Sequence, residues 1–140
     1  MAAYIISIDQ STQGTKALLF DETGTIVRRT DCAHRQIVNE KGWVSHDPEE
    51  IYRNVLTVVS KLLEGIDANC VVGVGISNQR ETTVAWNKIT GKPYGNAVVW
   101  QCARATKICE RESIVLMADA IQKKTGSYHR IFQLQSLHGF

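Results

Sequence analysis

The run "GISNQRETTVAW" (75–86) sets an arginine and a glutamate side by side just after an apolar stretch, "VVGVGIS" (71–77). Asn78, Gln79, Thr82 and Thr83 surround Arg80 and Glu81, so donors and acceptors are dense here. A guanidinium donates and a carboxylate accepts, so neighbouring hydroxyls of a polyol would each find a partner. Charge-assisted bonds of this kind are worth ~1.5–3 kcal/mol. Trp100, in "NAVVWQ" (96–101), is the candidate for covering the carbon face of such a ligand. The same residue types also suit a surface ion pair, worth ~0–1 kcal/mol, beside a core tryptophan.

A second chemical motif lies in "SIDQSTQGTKALLFD" (7–21). An aspartate, Asp9, ends an apolar run, and Gln10, Ser11, Thr12, Gln13, Gly14 and Thr15 follow before Lys16. A hairpin rich in glycine and hydroxyls can expose backbone N–H groups to phosphate oxygens. Asp9 suits Mg²⁺, directly or through water, and Lys16 suits phosphate charge. The pattern is not a Walker loop, since G-x-x-x-x-G-K-[ST] is absent. A hairpin turn needs polar residues in any case, so a plain turn fits the same residues.

Three strands are expected to position the first motif: 4–8, 15–21 and 25–32, with a turn at "ETG", as an antiparallel meander. Asp47 then reads as an N-cap, Pro48 as the first helical residue and Glu50 as the partner of a capping box. Ile51, Val55, Val58, Val59, Leu62 and Leu63 recur at helical spacing, and Gly65 is placed to close the helix. The stretch 71–77 is expected as a strand buried on both faces, 82–87 as a fifth strand and "KITGKP" as a turn. "NAVVW" reads as a short extended piece, and a helix is expected from Ala103 to about Lys124. The order describes an α/β fold with a mixed sheet and flanking helices, fitting the ribonuclease-H-like, or actin-like ATPase, core.

The 140 residues suffice for one domain, and 44% hydrophobic with 21% charged residues is ordinary for a globular protein. A net charge of +2 without blocks of like charge gives no footprint for nucleic acid. "MAAYIISIDQ" lacks the basic start of a signal peptide, and no stretch approaches the ~18 apolar residues of a membrane span, so the cytoplasm is expected. The four cysteines form no C-x-x-C pair and no histidine lies at metal-ligand spacing from them, which suits reduced thiols.

"YIISIDQSTQGTKALLFDETG", "GWVSHDPEEIY", "GISNQRETTVAWNKITGKPYGNAVVWQCARA" and "KKTG" together resemble the amino-terminal domain of FGGY carbohydrate kinases. Within that family the pattern is most similar to the glycerol kinases, and the likeness runs in order over residues 4–126. The resemblance implies ATP and Mg²⁺ as cofactors and transfer of the γ-phosphate to a primary hydroxyl of glycerol, or of another polyol or sugar. It implies phosphate and Mg²⁺ roles for Asp9, Thr12, Gln13 and Lys16, with Lys16 where glycerol kinases usually carry arginine. It implies that Arg80 and Glu81 hold substrate hydroxyls and that Trp100 walls the site. Ser11 departs from the family's usual glycine, and Gln13 and Gly14 stand where it carries small hydroxyl residues. Self-association of a full-length form stays open.

After Gly126 the chain reads "SYHRIFQLQSLHGF" (127–140), whereas the family continues with a segment like "LxxPYFSASKLxWI". Permitted codons for this tail, read two bases later, encode LSPYFSASKLAWI. Residues 127–140 are therefore expected to be a frameshifted reading, and 1–126 a truncated kinase domain. Ile131 stands where the family's tyrosine is expected, so Tyr128 takes no role. Complete members are several-fold longer, and the resemblance places their general base outside this chain. No catalytic base is assigned, and the fragment alone is expected to be inactive or to act only as a binding module.

Overall fold

The structure, a computed structural model, describes residues 2–111 and 117–125. The chain divides into two compact units, Met1–Gln36 with Asp47–Gln79, and Ile37–His46 with Arg80–Phe140. The tail expected to be frameshifted lies outside the described residues.

In the first unit, β1 (Tyr4–Gln10), β2 (Gly14–Phe20) and β3 (Ile26–Ala33) form the expected antiparallel meander. Register sets Ile6 opposite Leu19 and Ile8 opposite Ala17, so one face of the sheet is apolar. Helix α1 (Pro48–Leu62) packs on that face with Val58 and Leu62 fully buried. Burial of each such side chain contributes ~1.5–3 kcal/mol.

Asp47 caps α1, its Oδ1 accepting from the Glu49 N–H at 2.9 Å, and Pro48 opens the first turn. Glu50 does not complete a capping box. Its Oε1 accepts from the Arg35 N–H at 3.1 Å and its Oε2 lies 3.5 Å from the Arg35 guanidinium. The carboxylate thus ties the start of α1 to the chain leaving β3. At the other end, Arg28 Nη1 donates to the carbonyls of Leu62 at 2.8 Å and Glu64 at 2.7 Å. Gly65, at φ 73°, follows the helix end, where the chain reverses in a conformation that favours glycine.

Strand β6 (Val71–Asn78) runs parallel to β1 and gives the order β3-β2-β1-β6, the expected mixed sheet. It is not buried on both faces: Val72, Val74 and Ile76 are 69%, 56% and 70% exposed. The reason is position. β6 ends the sheet among the described residues, and α1 packs on β2 and β3.

The second unit contains β4 (Ile37–Val38), β5 (Val44–His46) and β7 (Ala97–Val98) in the order β4-β5-β7. Asn39 turns the chain between β4 and β5, its Oδ1 accepting from the N–H groups of Lys41 and Trp43, both at 3.0 Å. The expected strand at 82–87 is instead two isolated bridges, Thr83 with Val98 and Trp86 with Pro93, since proline has no N–H to extend a ladder. Of the helix expected from Ala103 to about Lys124, the described residues form a 3₁₀ turn (Ala103–Ala105), α2 (Thr106–Cys109) and α3 (Ala118–Thr125), and residues 112–116 lie outside them. No helix among the described residues is long and apolar enough to cross a membrane.

Candidate functional site

The residues expected at phosphate lie in the first unit and those expected at a polyol in the second. In the first, Asp9 stands near the end of β1, exposed, with Lys16 opposite it in the β1–β2 register. Opposite residues of an antiparallel pair share a face, so the carboxylate and the ammonium sit on the same side of the hairpin. The parallel register of β6 brings Ser77 beside Asp9, and Ser77 Oγ donates to Asp9 Oδ1 at 2.8 Å. Sequence reading assigned Ser77 no role, because parallel pairing between distant segments leaves no local signal.

The hairpin between the strands is closed by its own hydroxyl and backbone groups. Ser11 N–H and Ser11 Oγ both donate to the Gly14 carbonyl, at 2.9 and 3.0 Å. Gln10 Nε2 donates to the Ser11 carbonyl at 3.0 Å. A Cβ on Gly14 would meet the Cys32 carbonyl oxygen at 2.6 Å and the Ala33 Cα at 3.0 Å, so only glycine lets the hairpin lie this close to β3. Thr12 and Gln13 form the tip, and Gln13 is exposed. All four residues expected on the phosphate side, Asp9, Thr12, Gln13 and Lys16, therefore lie on one hairpin.

Gln79 belongs to this unit and is buried in it. It is 9% exposed, and its Nε2 donates to Gln10 Oε1 at 3.4 Å. Asn78 Nδ2 donates to the Gln79 carbonyl at 3.2 Å. Part of the polar density read from the sequence thus fastens the end of β6.

The second unit begins at Arg80. Arg80 and Glu81 are exposed in a turn, and Glu81 has φ 56°, the only positive value at a non-glycine among the described residues. Such a backbone costs a side-chain-bearing residue of order 1–2 kcal/mol. The neighbouring chain is anchored by two bonds, Thr83 N–H to Val98 O at 3.0 Å and Val98 N–H to Thr83 O at 2.9 Å. Glu81 and Trp100 each lie two residues from this bridge, at the same end of it. Ala97, Val98 and Val99 beneath are buried, and Trp100 is half-buried.

Arg104 fastens the chain after Trp100. Its Nη2 donates to the Val44 carbonyl at 3.1 Å and to Ser45 Oγ at 2.8 Å, and its guanidinium lies 5.3 Å from the Trp43 ring centroid. Its Nε donates to Cys102 Sγ at 3.0 Å. Burial pushes the Cys102 thiol up, but the hydrogen bond from Arg104, backbone hydrogen bonds and the Arg104 charge together hold it below its ordinary value. Cys32, Cys70 and Cys102 are free thiols. Among the described residues no group of three or more histidine, cysteine or acidic side chains could hold a metal ion.

The profile of the FGGY family of carbohydrate kinases, N-terminal domain, matches residues 4–137. Glycerol kinase 1 of Thermotoga maritima is 49% identical over 125 residues, which are 88% of this chain and 25% of the relative. A glycerol kinase of Marinomonas sp. is 44% identical over 128 residues, 90% of this chain and 26% of the relative. Among solved structures, Plasmodium falciparum glycerol kinase with ADP superposes with a TM-score of 0.79 at 38% identity, covering 94% of this chain and 27% of that one. Gluconate kinase from Lactobacillus acidophilus gives 0.81 at 24% identity over 91% of this chain and 25% of its own, a likeness of fold. The fold is the ribonuclease-H-like, actin-like one. The chain spans about a quarter of the length of the curated relatives it matches.

Proposed function

The chain belongs to the FGGY family of carbohydrate kinases, and from that membership we propose that it carries the phosphate and polyol parts of an ATP-dependent glycerol kinase. The reaction is transfer of the ATP γ-phosphoryl group to a primary hydroxyl, giving glycerol 3-phosphate. The observation that carries this reading is Glu81 at φ 56° beside exposed Arg80. Backbone strain at a side-chain-bearing residue is concentrated at functional positions, and the pair offers a donor and an acceptor to adjacent hydroxyls.

In this reading Arg80 and Glu81 orient the polyol, and Trp100 covers its carbon face. The hairpin Thr12–Gly14 faces phosphate oxygens, and Lys16 offsets their charge. Mg²⁺ fits Asp9, an exposed carboxylate whose Oδ1 is oriented by Ser77, because Mg²⁺ binds through one or two carboxylates with phosphate oxygens and water. Held there, directly or through water, the ion would neutralise phosphate charge. Catalysis in phosphoryl transfer is mainly positioning and charge stabilisation. No residue of this chain is proposed as the general base; Asp9 serves at the phosphates.

A chimera tests this, with residues 4–125 replacing the aligned segment of the Thermotoga maritima kinase. It is expected to phosphorylate glycerol in preference to four- and five-carbon polyols, whereas the 140-residue chain alone turns over neither. Arg80→Ala should lower kcat/KM for glycerol by about 10–100-fold, the loss of a charged hydrogen bond. A chimera that prefers a five-carbon polyol, or that ignores Arg80→Ala, would sink the glycerol reading.

A further inference from the structure

Two successive carbonyls at the hairpin tip are engaged by one residue. The His34 N–H donates to the Gln13 carbonyl at 3.3 Å, and His34 Nε2 lies 3.0 Å from the Thr12 carbonyl oxygen. A carbonyl only accepts, so Nε2 carries the proton and donates. His34 is 8% exposed, so water competes little for the ring bond. The peptides here are trans, and in a trans peptide the C=O and the following N–H point opposite ways. Drawing the Thr12 and Gln13 carbonyls toward His34 therefore turns the N–H groups of Gln13 and Gly14 to the far side. Successive N–H groups turned one way are what a backbone anion site requires.

His34 is itself held on both flanks by α1. Asn54 Nδ2 donates to the Ala33 carbonyl at 3.1 Å, and the Arg35 N–H donates to Glu50 Oε1 at 3.1 Å. The first turns of the helix thus fix the residues on either side of His34, and His34 fixes the hairpin tip.

We infer that His34 is the positioning residue of the phosphate hairpin, holding the Thr12 and Gln13 carbonyls back so that the Gln13 and Gly14 N–H groups face an anionic oxygen. This rests on the phosphate reading of the hairpin proposed above. His34 touches no substrate and acts through the loop.

The test uses the isotope-labelled 140-residue chain as wild type, His34→Leu and His34→Gln. Leucine keeps apolar bulk without a donor, and glutamine keeps a side-chain N–H. One readout is hydrogen exchange at Ser11 N–H, which closes the hairpin onto Gly14 O. The other is the response of the Gln13 and Gly14 amide signals to inorganic pyrophosphate. His34→Leu should speed Ser11 exchange about 10-fold, the loss of one hydrogen bond. It should leave Ile8 and Leu19 unchanged and abolish the pyrophosphate response, and His34→Gln should restore both. Wild-type behaviour of His34→Leu overturns the inference, as does equal acceleration at Ile8 and Leu19. If the leucine variant does not fold, His34→Phe, a ring without a donor, gives the same comparison. If wild-type Gln13 and Gly14 ignore pyrophosphate while His34→Leu still frees Ser11, positioning stands and the phosphate reading fails.

Discussion

At Glu81 a carboxylate is retained at a backbone position where glycine would be at ease, φ 56°. Replacing it by alanine removes the carboxylate and keeps the steric cost; replacing it by glycine removes both. Glu81→Gly is therefore expected to be more stable than Glu81→Ala by about 1 kcal/mol, the reverse of the order in an ordinary extended or helical segment. Urea unfolding of the two variants measures the difference, and an alanine variant at least as stable would mean the turn is relaxed. Residue identity was legible here, since adjacent Arg80 and Glu81 invited the polyol reading directly. The strain was not, because nothing in "NQRETT" dictates a positive φ. Gln79 shows the converse: a polar side chain beside the pair whose inward bond to Gln10 depends on a strand pairing across the sheet.

Among the elements, α1 was the most legible, because capping residues and a 3.6-residue period coincide over Asp47–Leu62. Its attachment to the sheet was not. Arg28 lies on β3, 34 positions before Leu62, and its Nη1 reaches three carbonyls at the helix end, those of Lys61 at 3.5 Å, Leu62 at 2.8 Å and Glu64 at 2.7 Å. Carbonyls of a last helical turn lack i+4 partners within the helix, though Lys61 O also accepts from the Glu64 N–H at 3.4 Å, and a cation there meets the favourable end of the helix dipole. Arg28→Met keeps the aliphatic stem and removes the donors. It should cost about 1–2 kcal/mol, read as a lower midpoint of chemical unfolding. An unchanged midpoint would mean that water serves the carbonyls equally well. Strands β4 and β5 went unread for a different reason: two and three residues are too few to show alternation.

At the scale of the molecule, the most consequential surface among the described residues is β6, the outer strand of their four-stranded sheet. Val72, Val74 and Ile76 alternate onto one face of β6, and register sets Val74 beside Ile6 and Ile76 beside Ile8. They continue the apolar face that α1 covers over β2 and β3, yet remain more than half exposed. Hydrophobicity made "VVGVGIS" readable as a strand, but burial depends on what lies beside it, which no local pattern states. An apolar strand edge in water pairs with whatever edge it meets. The 140-residue chain is therefore expected to self-associate reversibly through β6. Sedimentation velocity should show mass rising with concentration up to about 100 µM, a range in which exposed edges associate. Val74→Lys with Ile76→Lys places charges on the strip, which should hold the chain monomeric across that range. The hairpin at Ser11–Gly14 serves as the internal control, since its amide signals should be the same in both chains. A wild-type chain that stays monomeric would show that β6 is protected without pairing.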